Sequence, residues 1–259
     1  MVRGAAIVSA AETPLALVTG ASRGIGAATA RRLVADGHRV VLAARSAGPL
    51  AELVTELAAG GGDALAVTTD LTDTGAIDAL LDATREFAGE RGRLDVLVNN
   101  AGVATGGYTA PSEASLADMQ AVYDVNVFGP VRVTQAFVPF LRKAGQGRIV
   151  MMSSSLGSIG EQLDMTSGTY GVNLLGYNSS KSALNMITVS FAKELLAHGI
   201  KVNAANPGYV ATDLNNHQGY RSVEQGAAIA VHLATLGPMG PTAGFFSDGT
   251  EAKLGRHTW

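Results

Sequence analysis

A chain of 259 residues, 47% apolar and only 16% charged, can bury one generous α/β core, since an average soluble domain carries roughly 25% charged residues. A net charge of −3 leaves no excess of Lys and Arg to neutralise phosphates, which excludes nucleic acid as an expected partner. The absence of cysteine excludes both a disulfide framework and a thiolate metal site.

The five His are scattered rather than set at ligand spacing, so no metal is expected. There is no run of about 18 uncharged apolar residues to cross a membrane, and a cytoplasmic protein is expected.

Residues 1–13 have one Arg and a weak apolar stretch broken by Glu12; they read as a flexible extension ahead of a single domain over 14–259. LALVTG, from Leu15, is short and continuously apolar before a glycine turn, as a strand buried on both faces should be. After Gly24, the residues Ile25, Ala28, Thr29 and Leu33 recur at helical spacing up to Gly37, a plausible C-cap. HRVVLAA is a second strand. A helix around Leu50 to Leu57, a strand ALAVTT, a helix around Ile77 to Phe87 and a strand LDVLVNNAG follow, the last ending in a polar turn.

A long helix is expected over roughly Met119 to Leu141, kinked or bounded by Pro130 and Pro139, and then a strand RIVMMS. A looser stretch rich in Gly, Ser and Thr precedes a helix from Tyr177 to Leu196, with Leu184, Ile187, Phe191 and Leu195 on one face. The strand KVNAANPG, a helix near Val223 to Leu236, the short strand GFFSDG and a brief tail come last. Strands alternating with helices predict a doubly wound parallel sheet of about seven strands, covered on both faces. Ligands of such sheets bind beyond the carboxyl ends of the strands, and nearly every unusual residue of this chain falls in turns on that edge.

TGASRGIG (19–26) is the first of these turns. Its glycines permit positive φ and a close approach of backbone to a pyrophosphate, whose charge the N–H groups of a helix start can accept. Gly20, Ser22, Arg23, Gly24, Ile25 and Gly26 are therefore candidate dinucleotide contacts, although such a turn taken alone is also read as a tight connection. Where a carboxylate would bind the ribose 2′-OH of NAD, the chain has Ala43, Ala44 and Arg45. Arg45 and Arg23 can pair with a 2′-phosphate or stand as two solvated arginines. NADPH/NADP+ is the expected cofactor, ahead of NADH.

Asp70 can accept the adenine amino group while Leu71 packs on the ring, or Asp70 can cap the next helix. Asn99, Asn100, Ala101 and Gly102 follow the fourth strand, where small residues admit a cofactor and Asn side chains bond local backbone; Asn99, Ala101 and Gly102 are the cofactor candidates.

Tyr177 and Lys181 are four apart and share a helix face. Such a pair arises easily by chance; it gains weight from the preceding strand, which ends in Ser153, Ser154 and Ser155.

On these residues the chain resembles the short-chain dehydrogenase/reductase family over nearly its whole length and in the right order. TGASRGIG is similar to the family's cofactor loop, NNAG to its fourth-strand turn and YNSSK to its Tyr-x-x-x-Lys signature. Asn126, in YDVNVFGP, matches the helix Asn of its catalytic tetrad. NPGYVAT (206–212) is similar to the segment that holds the nicotinamide carboxamide, which adds Pro207, Gly208, Val210 and Thr212 to the cofactor set. The S-x-x-G-x-x-G register, with Gly157 and Gly160, singles out Ser154 and leaves Ser153 and Ser155 as turn formers.

The resemblance implies a single-domain Rossmann fold and a catalytic set of Asn126, Ser154, Tyr177 and Lys181, with Tyr177 and Lys181 also touching the cofactor. In that reading Ser154 donates a hydrogen bond to the carbonyl oxygen and Tyr177 gives it a proton. Lys181 favours the phenolate of a group whose ordinary pKa is about 10 and bonds the nicotinamide ribose. Asn126 either holds a water linking Lys181 to solvent or bonds a kinked helix backbone.

Within the family, VVLAARS, YNSSKSALNMITVSFAKEL and GPTAGFFSDG look most like carbonyl reductases. In those, an insertion between the active Ser and Tyr covers the surface through which other members associate. The stretch EQLDMTSGTYGVNLLG here is shorter than theirs, leaving a homo-oligomer open. Loops at 103–111, 156–176 and 209–223 should line a substrate pocket for a small, partly apolar carbonyl compound. Two alternatives stand beside the reductase: an alcohol dehydrogenase acting oxidatively, and a non-catalytic NADPH-binding regulator.

Overall fold

The computed structural model describes residues 13–248 and 255–259. The expected extension over 1–13 therefore lies outside the described residues apart from Thr13. The apolar runs form strands β1 (Leu15–Thr19), β2 (Arg39–Ala44), β3 (Ala64–Thr68), β4 (Val96–Asn99), β5 (Arg148–Met152), β6 (Lys201–Ala205), β7 (Phe245–Ser247) and β8 (Gly255–Arg256). They make one sheet in the order β3-β2-β1-β4-β5-β6-β7-β8. The first seven strands are parallel, and β8 runs antiparallel to β7.

The helices among the described residues are α1 (Gly24–Ala35), α2 (Ala47–Ala59), α3 (Thr74–Ala88), α4 (Leu116–Tyr123), α5 (Gly129–Ala144), α6 (Ile159–Leu163), α7 (Leu175–Leu195) and α8 (Val223–Ala234). Successive strand residues point to opposite faces, so each strand feeds two cores. Ala16, Val18, Val40, Leu42, Val98 and Val150 pack on one face with Leu33 of α1, Leu50 of α2 and Ile229 of α8. Leu15, Leu17, Val41, Leu97, Ile149 and Met151 pack on the other with Leu80 of α3, Phe137 of α5 and Leu184 of α7. Burial on both faces is why these strands read as continuous apolar runs rather than alternating ones.

Strand order reverses between β1 and β4, so the turns after these two strands open on a common crevice.

Three local features differ from expectation. The single helix expected over Met119–Leu141 is α4, one turn of π-helix (Asp124–Phe128) and α5. Pro130 lies in the first turn of α5, where its missing N–H costs nothing, and Pro139 sits on that helix's exposed side. The break is thus a π turn, a device frequent at functional sites in helices, directly ahead of Pro130, which supplies no backbone N–H to bond back into it. Second, part of the looser stretch is helical: Ser158 caps α6 by accepting from the Glu161 N–H at 3.1 Å. Third, the sheet has eight strands, because two residues of the brief tail pair with Phe246 and Ser247.

Candidate active site

The turn after β1 has the geometry of an anion cradle. Gly20 and Gly24 adopt φ of +65° and +57°, conformations that glycine enters freely. Gly26 is required for space, since a Cβ there would lie 2.3 Å from the Gly20 carbonyl oxygen and 2.5 Å from Asn100 Nδ2. The turn after β4 is stitched to it. Thr19 Oγ1 accepts from the N–H groups of Asn100 (3.0 Å) and Ala101 (3.2 Å), while Asn100 Nδ2 donates to the carbonyls of Thr19 (2.9 Å) and Gly20 (3.2 Å). No side chain among the described residues caps α1, so its first-turn N–H groups are left for a ligand's negative charge.

A dinucleotide fits this cradle: the backbone approach is closed to any Cβ at Gly26, and the helix start points its free donors into the crevice. The other predicted cofactor residues lie around it. Ser22 and Ile25 are partly buried in the same turn. Gly208 has φ of +76°, Pro207 is partly exposed beside it, and Thr212 Cγ2 would be 3.6 Å from a Cβ on Gly24, so the loop after β6 faces the glycine turn. Val210 is buried and packs against Gly226 of α8, which makes it a support for that loop.

Arg45 is exposed at the end of β2, without an ion pair among the described residues. Arg23 is exposed too, but its Nε meets Asp213 Oδ2 at 3.2 Å, and the other oxygen of Asp213 meets His217 Nε2 at 2.9 Å.

Three of the residues expected at the cofactor have bonds or contacts of their own. Asp70 does not cap α3; Asp73 does, accepting from the Gly75 N–H at 2.8 Å. Asp70 instead accepts from Thr72 N (2.9 Å) and Oγ1 (2.8 Å), bonds that hold its carboxyl below the usual range, with a smaller contribution from the Arg45 charge. Leu71 is buried against Gly129 and has little surface to offer a ring. The Asn99 side chain, 2% exposed, turns into the core, where it donates to Thr134 Oγ1 at 3.0 Å. Any contact from Asn99 to a ligand is through its main chain.

The predicted reacting groups come together behind the turn after β4. A Cβ on Gly102 would stand 3.4 Å from Asn126 Oδ1 and 3.5 Å from Lys181 Nζ, so this glycine keeps open the gap between them. Lys181, buried at 3% exposure, donates to the Met152 carbonyl at 2.8 Å, and its Nζ is 5.5 Å from the centre of the Tyr177 ring. The Ser154 hydroxyl lies near enough to the Tyr177 phenol to pull its pKa down against burial, and it accepts from the Leu156 N–H at 3.2 Å. Gly157 lets the Ser154 turn lie directly on α7, since a Cβ there would be 2.6 Å from Lys181 Cβ.

The neighbouring serine is committed elsewhere: Ser153 Oγ donates to Asn185 Oδ1 at 2.6 Å, and Asn185 Nδ2 donates to the Gly157 carbonyl at 3.2 Å. Asn100 bonds local backbone, as expected of the Asn residues after the fourth strand. Thr19 and Asn185 are positioning residues that sequence reasoning did not select; the first is a buried polar side chain at the end of β1 and the second one buried within α7.

The surroundings of Asn126 and of the Tyr177–Lys181 pair bear on the chemistry. The Asn126 side chain is spent on protein: Oδ1 accepts from Val103 N (2.8 Å), while Nδ2 donates to Val103 O (2.9 Å) and Ser180 Oγ (3.1 Å). It therefore pins the backbone beside Gly102, with both amide N–H groups donated and one lone pair of Oδ1 occupied. And the phenol is not lowered. Burial pushes Tyr177 up to about 12, against the opposite pull of Ser154, and burial alone pushes Lys181 down to about 8.

The second shift has a stability consequence. A solvated lysine titrates near 10.4, so between about pH 8 and 10 the unfolded chain holds more protons than the folded one, and stability rises with pH across that window. Below it the buried ammonium is a standing cost. Lys181→Met should be more stable than the parent at pH 7 by about 2 kcal/mol, after the lost bond to Met152 is set against the relieved burial. The difference should shrink as pH passes 8 toward 10. Denaturant unfolding of both proteins at pH 7 and 10 checks this.

Residues 14–221 match the family model for short chain dehydrogenases. The chain is 36% identical over 211 residues to a 3-oxoacyl-[acyl-carrier-protein] reductase of Synechocystis, covering 81% of this chain and 79% of that protein. It is 32% identical over 283 aligned positions to (+)-neomenthol dehydrogenase of Arabidopsis thaliana, covering 88% and 93% of the two chains. Among solved structures it superposes on NADPH-bound carbonyl reductase from chicken fatty liver with a TM-score of 0.80 at 30% identity, covering 95% of this chain and 99% of that one.

This chain belongs to the short-chain dehydrogenase family. It is an oxidoreductase that depends on a nicotinamide dinucleotide and acts on a small molecule. No described helix is long and apolar enough to cross a membrane.

Proposed function

We propose that this enzyme is an NADPH-dependent reductase that delivers hydride to the carbonyl carbon of a ketone or aldehyde on a small, partly apolar molecule, with Tyr177 as the proton donor. The observation that carries the reading is the meeting of the Tyr177 ring with the buried Lys181 Nζ, 5.5 Å from its centre, behind the turn after β4 and beside the glycine turn. The reductive direction is supported by the NADPH in the carbonyl reductase of similar fold.

The cofactor supplies the hydride; the chain supplies the rest. Negative charge grows on the carbonyl oxygen as the C–H bond forms, and the Ser154 hydroxyl donates to it. The Tyr177 O–H bond then breaks as the proton moves to that oxygen, leaving an alcohol and a phenolate that solvent reprotonates. The Lys181 ammonium, held close by Met152 O, lowers the cost of that transient phenolate. Gly102 leaves room between Asn126 and Lys181, and the loop over 206–212 faces the glycine turn to hold the nicotinamide end through Pro207, Gly208, Val210 and Thr212.

Preference for NADPH is supported by Arg45, whose exposed guanidinium has no carboxylate partner among the described residues, and by the NADPH in the carbonyl reductase of similar fold. Arg23 adds a second charge once it leaves Asp213. Arg45→Asp should therefore weaken NADPH relative to NADH by about tenfold to a hundredfold, the scale of one charge-assisted bond to phosphate. Comparing kcat/KM for the two cofactors in parent and variant measures it, and unchanged discrimination would remove Arg45 from the account. The reading as a whole is tested by following NADPH oxidation against a panel of ketones, aldehydes and quinones. Turnover of a ketone or aldehyde is expected, and no turnover of any compound with either cofactor would leave only the binding-protein alternative.

A further inference from the structure

We propose that His257 is a positioning residue that sets the loop over 206–208 and ties it to the segment following Ser154. The observation is a continuous relay of hydrogen bonds between three parts of the chain that are far apart in sequence. The Gly208 N–H donates to Asn206 Oδ1 at 3.1 Å, Asn206 Nδ2 meets His257 Nε2 at 3.0 Å, and His257 Nδ1 meets a carboxylate oxygen of Glu161 in α6.

The bonding order follows from the first link. A backbone N–H can only donate, so the Asn206 oxygen must face Gly208 and the amide nitrogen must face His257. That nitrogen also only donates, so Nε2 presents its lone pair and the ring proton sits on Nδ1, donating to Glu161. Every group in the relay has one role it can play.

The imidazole is held from several sides. Its ring centre lies 4.8 Å from that of Phe245, its backbone N–H donates to Phe245 O at 2.9 Å, and Thr258 Oγ1 is 3.3 Å from Ser158 Oγ, the cap of α6. Asn206 is 6% exposed, and its own N–H donates to Phe246 O at 2.7 Å. Strand β8 thus brings residues 257–259 across the sheet end to brace two loops at once. Gly208, at φ +76° and with a would-be Cβ 2.8 Å from Arg221 Cδ, can sit in only a narrow range, and the Asn206 oxygen selects it. This inference rests on the proposal that the 206–212 segment holds the nicotinamide end of NADPH.

The test uses His257→Gln, whose amide oxygen comes near the place of Nε2 and keeps the bond to Asn206, and His257→Asn, whose amide stands in for Nδ1 and keeps only the bond to Glu161. Each is titrated with NADPH and with 2′,5′-ADP, which lacks the nicotinamide. NADPH affinity should fall about tenfold in the Asn variant, the scale of one lost and unreplaced hydrogen bond, and stay within about twofold of the parent in the Gln variant. Affinity for 2′,5′-ADP should be unchanged in both. Equal NADPH affinity in all three proteins, or a Gln variant as weak as the Asn variant, overturns the proposal.

If the parent binds neither nucleotide, the cofactor reading itself has failed. The relay is then still decided by amide exchange of Gly208 in the parent: slow exchange is expected, and exchange at the rate of an open loop overturns it. The same measurement decides if a variant does not fold.

Discussion

Replacing Tyr177 by Phe is expected to lower turnover by about 10² or more, the range of lost general-acid catalysis, with NADPH affinity changed less than about threefold. The ring itself survives the change. Lys181 Nζ keeps its place 5.5 Å from the ring centre and its bond to Met152 O, and the Ser180 hydroxyl still donates to the carbonyl of residue 177 at 2.7 Å. What disappears is one O–H bond, the proton source that the developing alkoxide needs. Ser154 remains as a hydrogen-bond donor, so residual turnover above background is expected rather than complete loss. Steady-state kcat with saturating ketone, beside a fluorescence titration with NADPH, separates the two effects. Turnover equal to the parent would remove Tyr177 from the chemistry.

Gly26→Ala should cost NADPH affinity at least about thirtyfold and destabilise the fold by about 1–3 kcal/mol, as overpacking does. The added methyl would meet the Gly20 carbonyl at 2.3 Å and Asn100 Nδ2 at 2.5 Å. Neither can swing away: one is backbone in a left-handed turn, and the other already donates to the carbonyls of Thr19 and Gly20. The turn must move, and with it the N–H groups at the start of α1.

Gly24→Ala is the informative comparison. A Cβ there has only Thr212 near it, at 3.6 Å, so its cost is that of a left-handed φ, about 1 kcal/mol. A larger loss of affinity at position 24 than at 26 would show that conformation, and not the space for a close approach, limits binding.

Much of this architecture was legible because it rests on local rules. Strands covered on both faces need continuous apolar runs, and LALVT, RVVLAA and RIVMM supply them; Gly20 and Gly24 announce a turn that needs positive φ. The shared face of Tyr177 and Lys181 followed from helical spacing, while their role was read from the serine-ended strand before them and the family signature.

What was not legible depends on contacts distant in sequence. The π turn at Asp124–Phe128 accompanies a bond from Asn126 to the backbone of Val103, 23 residues earlier. Strand β8 is two residues, Gly255 and Arg256, with no periodicity to betray it, and its partner is the short β7. Ser154 was singled out by the family register, but the physical reason that Ser153 is unavailable, its bond to Asn185 32 residues later, was not legible. The rise of the phenol to about 12 is likewise a property of burial, which a four-residue spacing does not encode.

The most direct test is a crystal structure of the enzyme with NADP+ and an unreactive analogue of a ketone substrate. The analogue's oxygen should lie about 3 Å from both the Tyr177 and Ser154 hydroxyls, with its carbon against the nicotinamide held by residues 206–212. An analogue bound productively against the nicotinamide but with the Tyr177 hydroxyl beyond hydrogen-bond reach of its oxygen would contradict the assignment of Tyr177 as the proton donor.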